Sequence, residues 1–309
     1  MENDAVGYDT IVCVKQVPDT GNITGEAMKA DGTVNRAALP AIFNPEDLHA
    51  LEAALELRER FGGTVTVLTM GPMGACEVLR DCLYRGADRA VLVSDRRAAA
   101  SDTLATSYIL SQAVKKIGRY DVVFCGRQAI DGDTAQVGPQ MAEKLGIPQI
   151  TYFEKLIDIA GQTIRIRRNV GNGWEILEGK LPILATVIDT ANEPRAPAAK
   201  RAMRFKRARC RGEIIADVAK DLPQADAPAK QAEADKRAEA ARKDGVAIEQ
   251  WDLDDLKADL KWCGVSGSPT KVHRVQSIVL TKEGFTSIAP TEEGVSKMIH
   301  ELIVDRTLG

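Results

Sequence analysis

The sequence predicts an α/β fold with a doubly wound, mostly parallel sheet, and three observations carry that prediction. Short apolar runs, of the kind a strand buried on both faces needs, recur at 10–17, 64–70, 90–93 and 122–125. Between them lie segments with apolar residues at helical spacing. A glycine closes each of those segments, at Gly62, Gly86, Gly118 and Gly146. Strand and helix alternating in this way build a parallel sheet with helices on both faces.

In chain order, 10–17 (TIVCVKQV) reads as the first strand. Residues 18–43 are rich in turn formers, with a small hairpin expected at Asp31-Gly32. Asn44-Pro45-Glu46-Asp47 is a helix start, with an Asn cap, a proline at the first helical position and acids in the first turn. That helix runs to about Arg60 with Leu48, Leu51 and Leu55 on one face. The second strand, 64–70, ends at Gly71-Pro72, and a helix from about Ala75 follows. The third strand ends at Ser94-Asp95, and Asp102 caps a helix from Thr103 to about Ile117.

The pattern changes after Pro148. Residues 149–159, 163–168 and 174–178 read as antiparallel strands, and 182–188 (PILATVI) as another apolar run. A basic stretch at 200–211 is either a solvated segment or a surface for an acidic partner. Residues 217–247 hold almost no large apolar side chain, so they form an exposed helix or a linker. Trp251, Leu253, Leu256 and Leu260 are expected on an amphipathic helix, 275–280 on a strand, and 292–304 on a last helix. So little core per residue predicts that 191–309 forms an arm packing on a partner subunit, with 1–190 as the α/β domain.

Composition narrows the function. Basic and acidic residues nearly balance, 41 against 44, which argues against nucleic acid as a partner. No apolar run reaches the length of a membrane span and no leader pattern opens the chain, so a soluble cytoplasmic protein is expected. The six cysteines include no C-x-x-C pair and read as small buried side chains, with no metal site expected. Three scattered histidines give no nucleophile or acid–base set, so no catalytic side chain is assigned.

The chain centres on 120–148 (YDVVFCGRQAIDGDTAQVGPQMAEKLGIP), a strand entering a polar turn and then a helix. Such a turn gathers backbone N–H groups at a helix N-terminus, a place that favours a phosphate. In a doubly wound sheet it also lies at the carboxyl edge, where ligands bind. Neither common phosphate fingerprint is present, and an ordinary strand-to-helix loop accounts for the local pattern equally well.

At that turn the chain resembles the β subunit of electron transfer flavoproteins, whose signature is a G-[KR]-Q-A-I-D-x-D loop. The resemblance extends to Val14-Lys15-Gln16-Val17-Pro18-Asp19, Asn44-Pro45, Gly71-Pro72, Gly86-Ala87-Asp88-Arg89 and Asn192-Glu193-Pro194-Arg195. It implies a Rossmann-like, adenine-nucleotide-binding fold and a heterodimer with an FAD-carrying α subunit. The β site holds structural AMP in one branch of the family. In the electron-bifurcating branch it holds FAD, reduced by NADH.

Residues 78–83, 92–96, 102–107 and 126–139 resemble the bifurcating branch. By that resemblance Cys13, Asn44, Asp47 and Met70 line the adenine and ribose end. Gly126, Arg127, Gln128, Ala129, Asp131, Gly132, Asp133, Thr134, Ala135, Gln136 and Val137 hold the phosphates, with Arg127 supplying charge near the flavin or the pyrophosphate. Ser94, Asp95, Thr103 and Thr106 meet the flavin ring or ribityl chain. Asn192, Glu193, Pro194, Arg195, Ala199 and Lys200 face a partner. The family's recognition leucine is absent from 196–200, so a dehydrogenase other than the ordinary acyl-CoA type, or a membrane-linked oxidoreductase, is expected, with ferredoxin as a further acceptor.

Overall fold

The computed structural model describes residues 7–19, 40–270 and 287–304. The hairpin expected at Asp31-Gly32 and the strand expected at 275–280 lie outside the described residues. In order, the elements are β1 (Thr10–Cys13), β2 (Gln16–Pro18), β3 (Ala41–Phe43), α1 (Pro45–Phe61), β4 (Val65–Met70), α2 (Cys76–Arg85) and β5 (Arg89–Val93). Then come α3 (Thr103–Ile117), β6 (Val122–Gly126), α4 (Val137–Leu145), β7 (Gln149–Ala160), β8 (Thr163–Asn169), β9 (Trp174–Lys180) and β10 (Ile183–Val187). The chain continues with α5 (Ala199–Phe205), α6 (Arg211–Asp221), α7 (Ala227–Lys243), β11 (Glu249–Trp251) and α8 (Glu292–Val304).

Among the described residues, nine strands form one sheet in the order β11-β5-β4-β1-β6-β10-β7-β8-β9. The run from β11 to β7 is parallel, and β7, β8 and β9 pair antiparallel. Alternate residues of one strand feed opposite faces. Val12 joins the cluster packed by α1 and α2, whereas Ile11 and Cys13 join the one packed by α3 and α4. From β1 the chain moves out to β4 and β5 and then returns to β6 on the other side. The order therefore reverses between β1 and β6, where Cys13 and Cys125 stand in register. A crevice opens at such a reversal.

Two differences from the sequence reading have local causes. The first strand breaks after Cys13, because the Lys15 N–H leaves the ladder for the Asp47 carboxylate at 2.8 Å. The helix expected across Trp251 to Leu260 does not form: Trp251 ends β11 (Glu249–Trp251), which pairs in parallel with β5, and turns follow it up to a short 3-10 segment at Leu260–Trp262. The sheet thus gains a strand from beyond residue 190, and Trp251, Leu253 and Leu256 are buried against it while Leu260 is exposed. A three-residue strand has no periodicity of its own and exists through the edge it joins. The charged stretch takes the helical of its two expected forms, and α7 packs on α6 through Ile214, Val218 and Ala234.

Candidate functional site

A cavity of about 480 Å³ opens at the β1/β6 reversal. One wall is the strand edge, from Cys13 to Lys15 with Leu68, Met70, Cys125 and Gly126. A second wall is 126–129, Asp131, Gly132 and 134–138, running into α4. A third, 98–103 with Thr106 and Leu110, continues into α3. Thr103 Oγ1 donates to Gln136 Oε1 at 2.8 Å, so the starts of α3 and α4 are tied side by side.

The loop after β6 is held in place by the first turn of α1. Asp47 Oδ1 accepts the Gly126 N–H at 3.1 Å, and Glu46 Oε2 accepts the Gln128 N–H at 2.9 Å. Asn44 Oδ1 accepts the Ile130 N–H at 3.1 Å, while its Nδ2 donates to the Gln128 carbonyl at 2.9 Å. Asn44 is therefore not spent as a helix cap: its side chain bonds none of α1's own N–H groups. Gly126 is required here, since a Cβ would stand 2.8 Å from the Glu46 carbonyl carbon and 2.9 Å from the Asp47 nitrogen.

Beyond the loop, α4 starts at Val137 with no side chain capping it, which leaves its first N–H groups for a ligand. Ala100, Asp133 and Ala135 take left-handed φ angles of 57°, 48° and 52° around this mouth. Non-glycine residues are rarely held there, and they gather at ligand clamps.

Each cation of the site comes with its own anion. Lys15 Nζ lies 2.6 Å from Asp131 Oδ1, and Arg127 Nη2 lies 2.7 Å from Glu46 Oε1. Arg127 also stands over the Tyr152 ring, 5.9 Å from its centroid. Its Nε is buried without a hydrogen-bond acceptor, an orphaned donor at the cavity edge.

Burial pushes the Asp47 carboxyl up to about 7, against the pull of Asn44 and of the Lys15 and Gly126 N–H groups. From an ordinary value of 3.8 to about 7, the unfolded chain is ionised while the native state keeps its proton. What Asp47 adds to stability is thus complete below 3.8 and lost as pH rises through about 7, a change of at most about 4 kcal/mol. Relative to Asp47→Asn, whose side chain does not titrate, the parent's urea midpoint should fall as pH rises through about 7. A difference that does not vary with pH would mean Asp47 is already ionised in acid.

The structure brings most of the expected residues to one place. Cys13, Asp47, Met70, Thr103, Thr106 and the 126–137 loop line the cavity, apart from Ile130 and Asp133. Four expected residues stand elsewhere. Asn44 is fully buried behind the loop it fastens. Asp133 accepts from Gln128 Nε2 at 3.0 Å. The Ser94 N–H donates to the Trp251 carbonyl. Asp95 accepts from Arg97 Nη2 at 2.6 Å and from the Leu253 N–H at 3.1 Å, and Arg97 holds its carboxyl down to about 2. These two lie outside the cavity wall: the Ser94 backbone continues the pairing with β11, and Asp95 is held by Arg97 and by the turn after β11.

Lys15 and Asp102, at a strand end and a helix start, also line the cavity, together with 98–101, which the sequence does not single out. The sequence signal for Lys15 was its place at a strand's carboxyl end. The small residues at 98–101 gave none, since their position depends on Ser101 Oγ accepting the Gly264 N–H and on Ser268 Oγ accepting the Asp102 N–H.

The expected partner segment is partly turned inward. Arg195 binds Glu52 through Nε and Nη2, and its Nη1 reaches Glu59. Asn192 pairs with His49 in both directions, its Nδ2 donating to the His49 carbonyl at 3.0 Å. Glu193, Ala199 and Lys200 remain exposed. No helix among the described residues is long and apolar enough to cross a membrane.

A family model described as electron transfer flavoprotein domain matches residues 31–209. The chain is 38% identical over 292 residues to the electron transfer flavoprotein subunit beta of Clostridium acetobutylicum, covering 94% of this chain and 96% of that protein. It is 41% identical over 299 residues to protein FixA of Azorhizobium caulinodans, covering 93% and 92%. Over 187 residues it is 51% identical to the acryloyl-CoA reductase electron transfer subunit gamma of Anaerotignum propionicum, covering 60% of this chain and 69% of that one.

Proposed function

The chain belongs to the electron transfer flavoprotein family, as a member of the β-subunit and FixA type, and from that premise we propose that its cavity takes a whole FAD and oxidises NADH in a heterodimer with an α-type subunit. Electrons then pass to the α-subunit flavin and on to a dehydrogenase or membrane-linked oxidoreductase, with ferredoxin as the second acceptor of a bifurcating pair. Bound in the cavity, FAD would supply hydride acceptance and onward electron transfer.

The observation that carries this reading is the third wall. An adenylate is served by the Cys13–Met70 edge and the start of α4. The cavity nevertheless continues along the small side chains of 98–101 to the hydroxyls of Thr103 and Thr106. A flat ring system with polar edges needs such a slot, and an adenylate does not. Its volume is in the range of sites that bury molecules larger than a nucleotide base.

The chain's own residues bind and orient. The free N–H groups of α4 accept phosphate charge, and the orphaned Arg127 Nε offers one more donor at the edge. Because Lys15 and Arg127 are already paired, they position a ligand without making the cavity strongly positive. The exposed apolar residues of α8, Val295, Ile299 and Ile303 among them, support the C-terminal arm packing on the α-type partner.

Anaerobic titration of the heterodimer with NADH tests the proposal. Bleaching of all bound flavin is expected, and a complex inert to NADH would overturn the redox role. Arg127→Ala leaves Glu46 buried without its cation, so flavin content should fall and NADH reduction should slow. Unchanged values for both would remove Arg127 from the site.

A further inference from the structure

Away from the cavity, two cysteines and a glutamate from distant parts of the chain converge between α2 and α6. Cys76 opens α2, Cys210 precedes α6, and Glu213 lies in the first turn of α6. Their two Sγ atoms and a carboxylate oxygen all lie within 4.8 Å of one another. Both cysteines are free and buried. We propose that Cys76, Cys210 and Glu213 bind a zinc ion that fastens α6 to the nucleotide-binding sheet through α2.

The donors suit that ion. Zinc takes thiolate sulfur at about 2.3 Å and carboxylate oxygen at about 2.0–2.2 Å, so tetrahedral ligands sit about 3.5 Å apart. Closing the cluster onto an ion needs side-chain shifts of about 1 Å or less, within rotamer adjustment. Both sulfurs also stand at helix N-termini, where the backbone dipole favours an anionic ligand. The Cys210 sulfur already accepts an N–H from that turn.

Glu213 is oriented by a second layer of contacts, as metal-ligating carboxylates are. Arg80 donates to its two oxygens at 3.0 and 3.1 Å, and the Cys210 N–H donates to Oε2 at 3.1 Å. Arg80 is fixed in turn by Glu77 at 2.7 Å and by the Ala208 carbonyl at 2.9 Å. Oε1 thus accepts one of these bonds and Oε2 two, which leaves Oε1 the less committed oxygen for a metal.

Charge balances as well. Zinc entry releases the two thiol protons, one from each cysteine, so a doubly charged ion replaces two single charges. The buried region gains no net charge, and the Arg80–Glu213 pair is undisturbed. No electron is moved, so no oxidant is required. Met73, 44% exposed, lays its thioether against Gly212, between Cys210 and Glu213 in sequence, and marks the solvent side of the cluster.

The test uses the heterodimer, reduced and stripped with chelator, titrated with cobalt(II) and then zinc(II). One equivalent of cobalt should give a thiolate-to-cobalt charge-transfer band, which zinc then bleaches while raising the thermal midpoint. Cys76→Ser and Cys210→Ser should lose the band. Cys76→Ala with Cys210→Ala, which keeps the packing apolar, should stay folded by circular dichroism, keep its flavin and show no band. A parent protein without the band, a band surviving in the double variant, or a Cys76–Cys210 disulfide in anaerobically prepared, zinc-free protein would each overturn the proposal.

Discussion

Gly126→Ala should empty the cavity. The added methyl would enter the first turn of α1, against Asp47 Oδ1, 2.8 Å from the Glu46 carbonyl carbon and 2.9 Å from the Asp47 nitrogen. The two backbone atoms cannot swing aside as the end of a flexible side chain can, so the strand or the helix must move. The bonds from Asp47 to Gly126, Glu46 to Gln128 and Asn44 to Ile130 share one register and would loosen together. Overpacking of this kind costs about 1–3 kcal/mol, and the greater effect should be on the loop. The purified heterodimer should carry little β-site nucleotide, measured as bound nucleotide per complex. Gly132→Ala is the control: nothing lies within 4 Å of its added Cβ, so its urea midpoint should match the parent. If Gly126→Ala kept both its nucleotide and its midpoint, α1 would not be what holds the loop.

Arg195→Ala should be the most destabilising single change in the segment after β10. Its guanidinium answers Glu52, whose side chain is 7% exposed, through Nε and Nη2 at 2.9 and 2.8 Å. Removing one partner of a buried pair strands the other charge, and about 3 kcal/mol of stability should go. The Glu59 contact is exposed on the acid's side and adds little. Arg195→Met with Glu52→Met should recover most of the loss, because no charge is then left buried. Urea unfolding of the three proteins decides it. A single variant within about 0.5 kcal/mol of the parent would show that Arg195 is free to serve a partner.

That inward turn of Arg195 marks where sequence reading stops. The four strand–helix units before Pro148 were legible because each carries its own periodicity and a closing glycine. The site loop was legible as a polar turn ahead of an uncapped helix. What Asn44 does was not. An Asn before a proline looks the same whether it caps its own helix or fastens a loop 84 positions away. Ser94 and Asp95 end a strand at the carboxyl edge, as binding residues do, yet their partners come from β11 and Leu253, a strand and a turn with no local signature. Cys76 and Cys210 likewise have no shared spacing pattern, and only the packing of α6 beside α2 brings them together. Local physics fixes the elements, and contacts between distant segments decide which of their side chains remain available.

The α1 helix joins two regions. Its first turn fastens the cavity loop, and His49, Glu52 and Glu59 fasten 192–195. A partner pulling on the exposed 196–200 stretch would therefore act one helix away from the cavity.

The central claim is that the slot from Met70 to Thr106 houses a flavin along with an adenylate. Heat release and chromatographic counting of nucleotides from the purified heterodimer test it directly. The account predicts two FAD and no AMP per complex. One FAD with one AMP would contradict it, and the third wall would then face no ligand of its own.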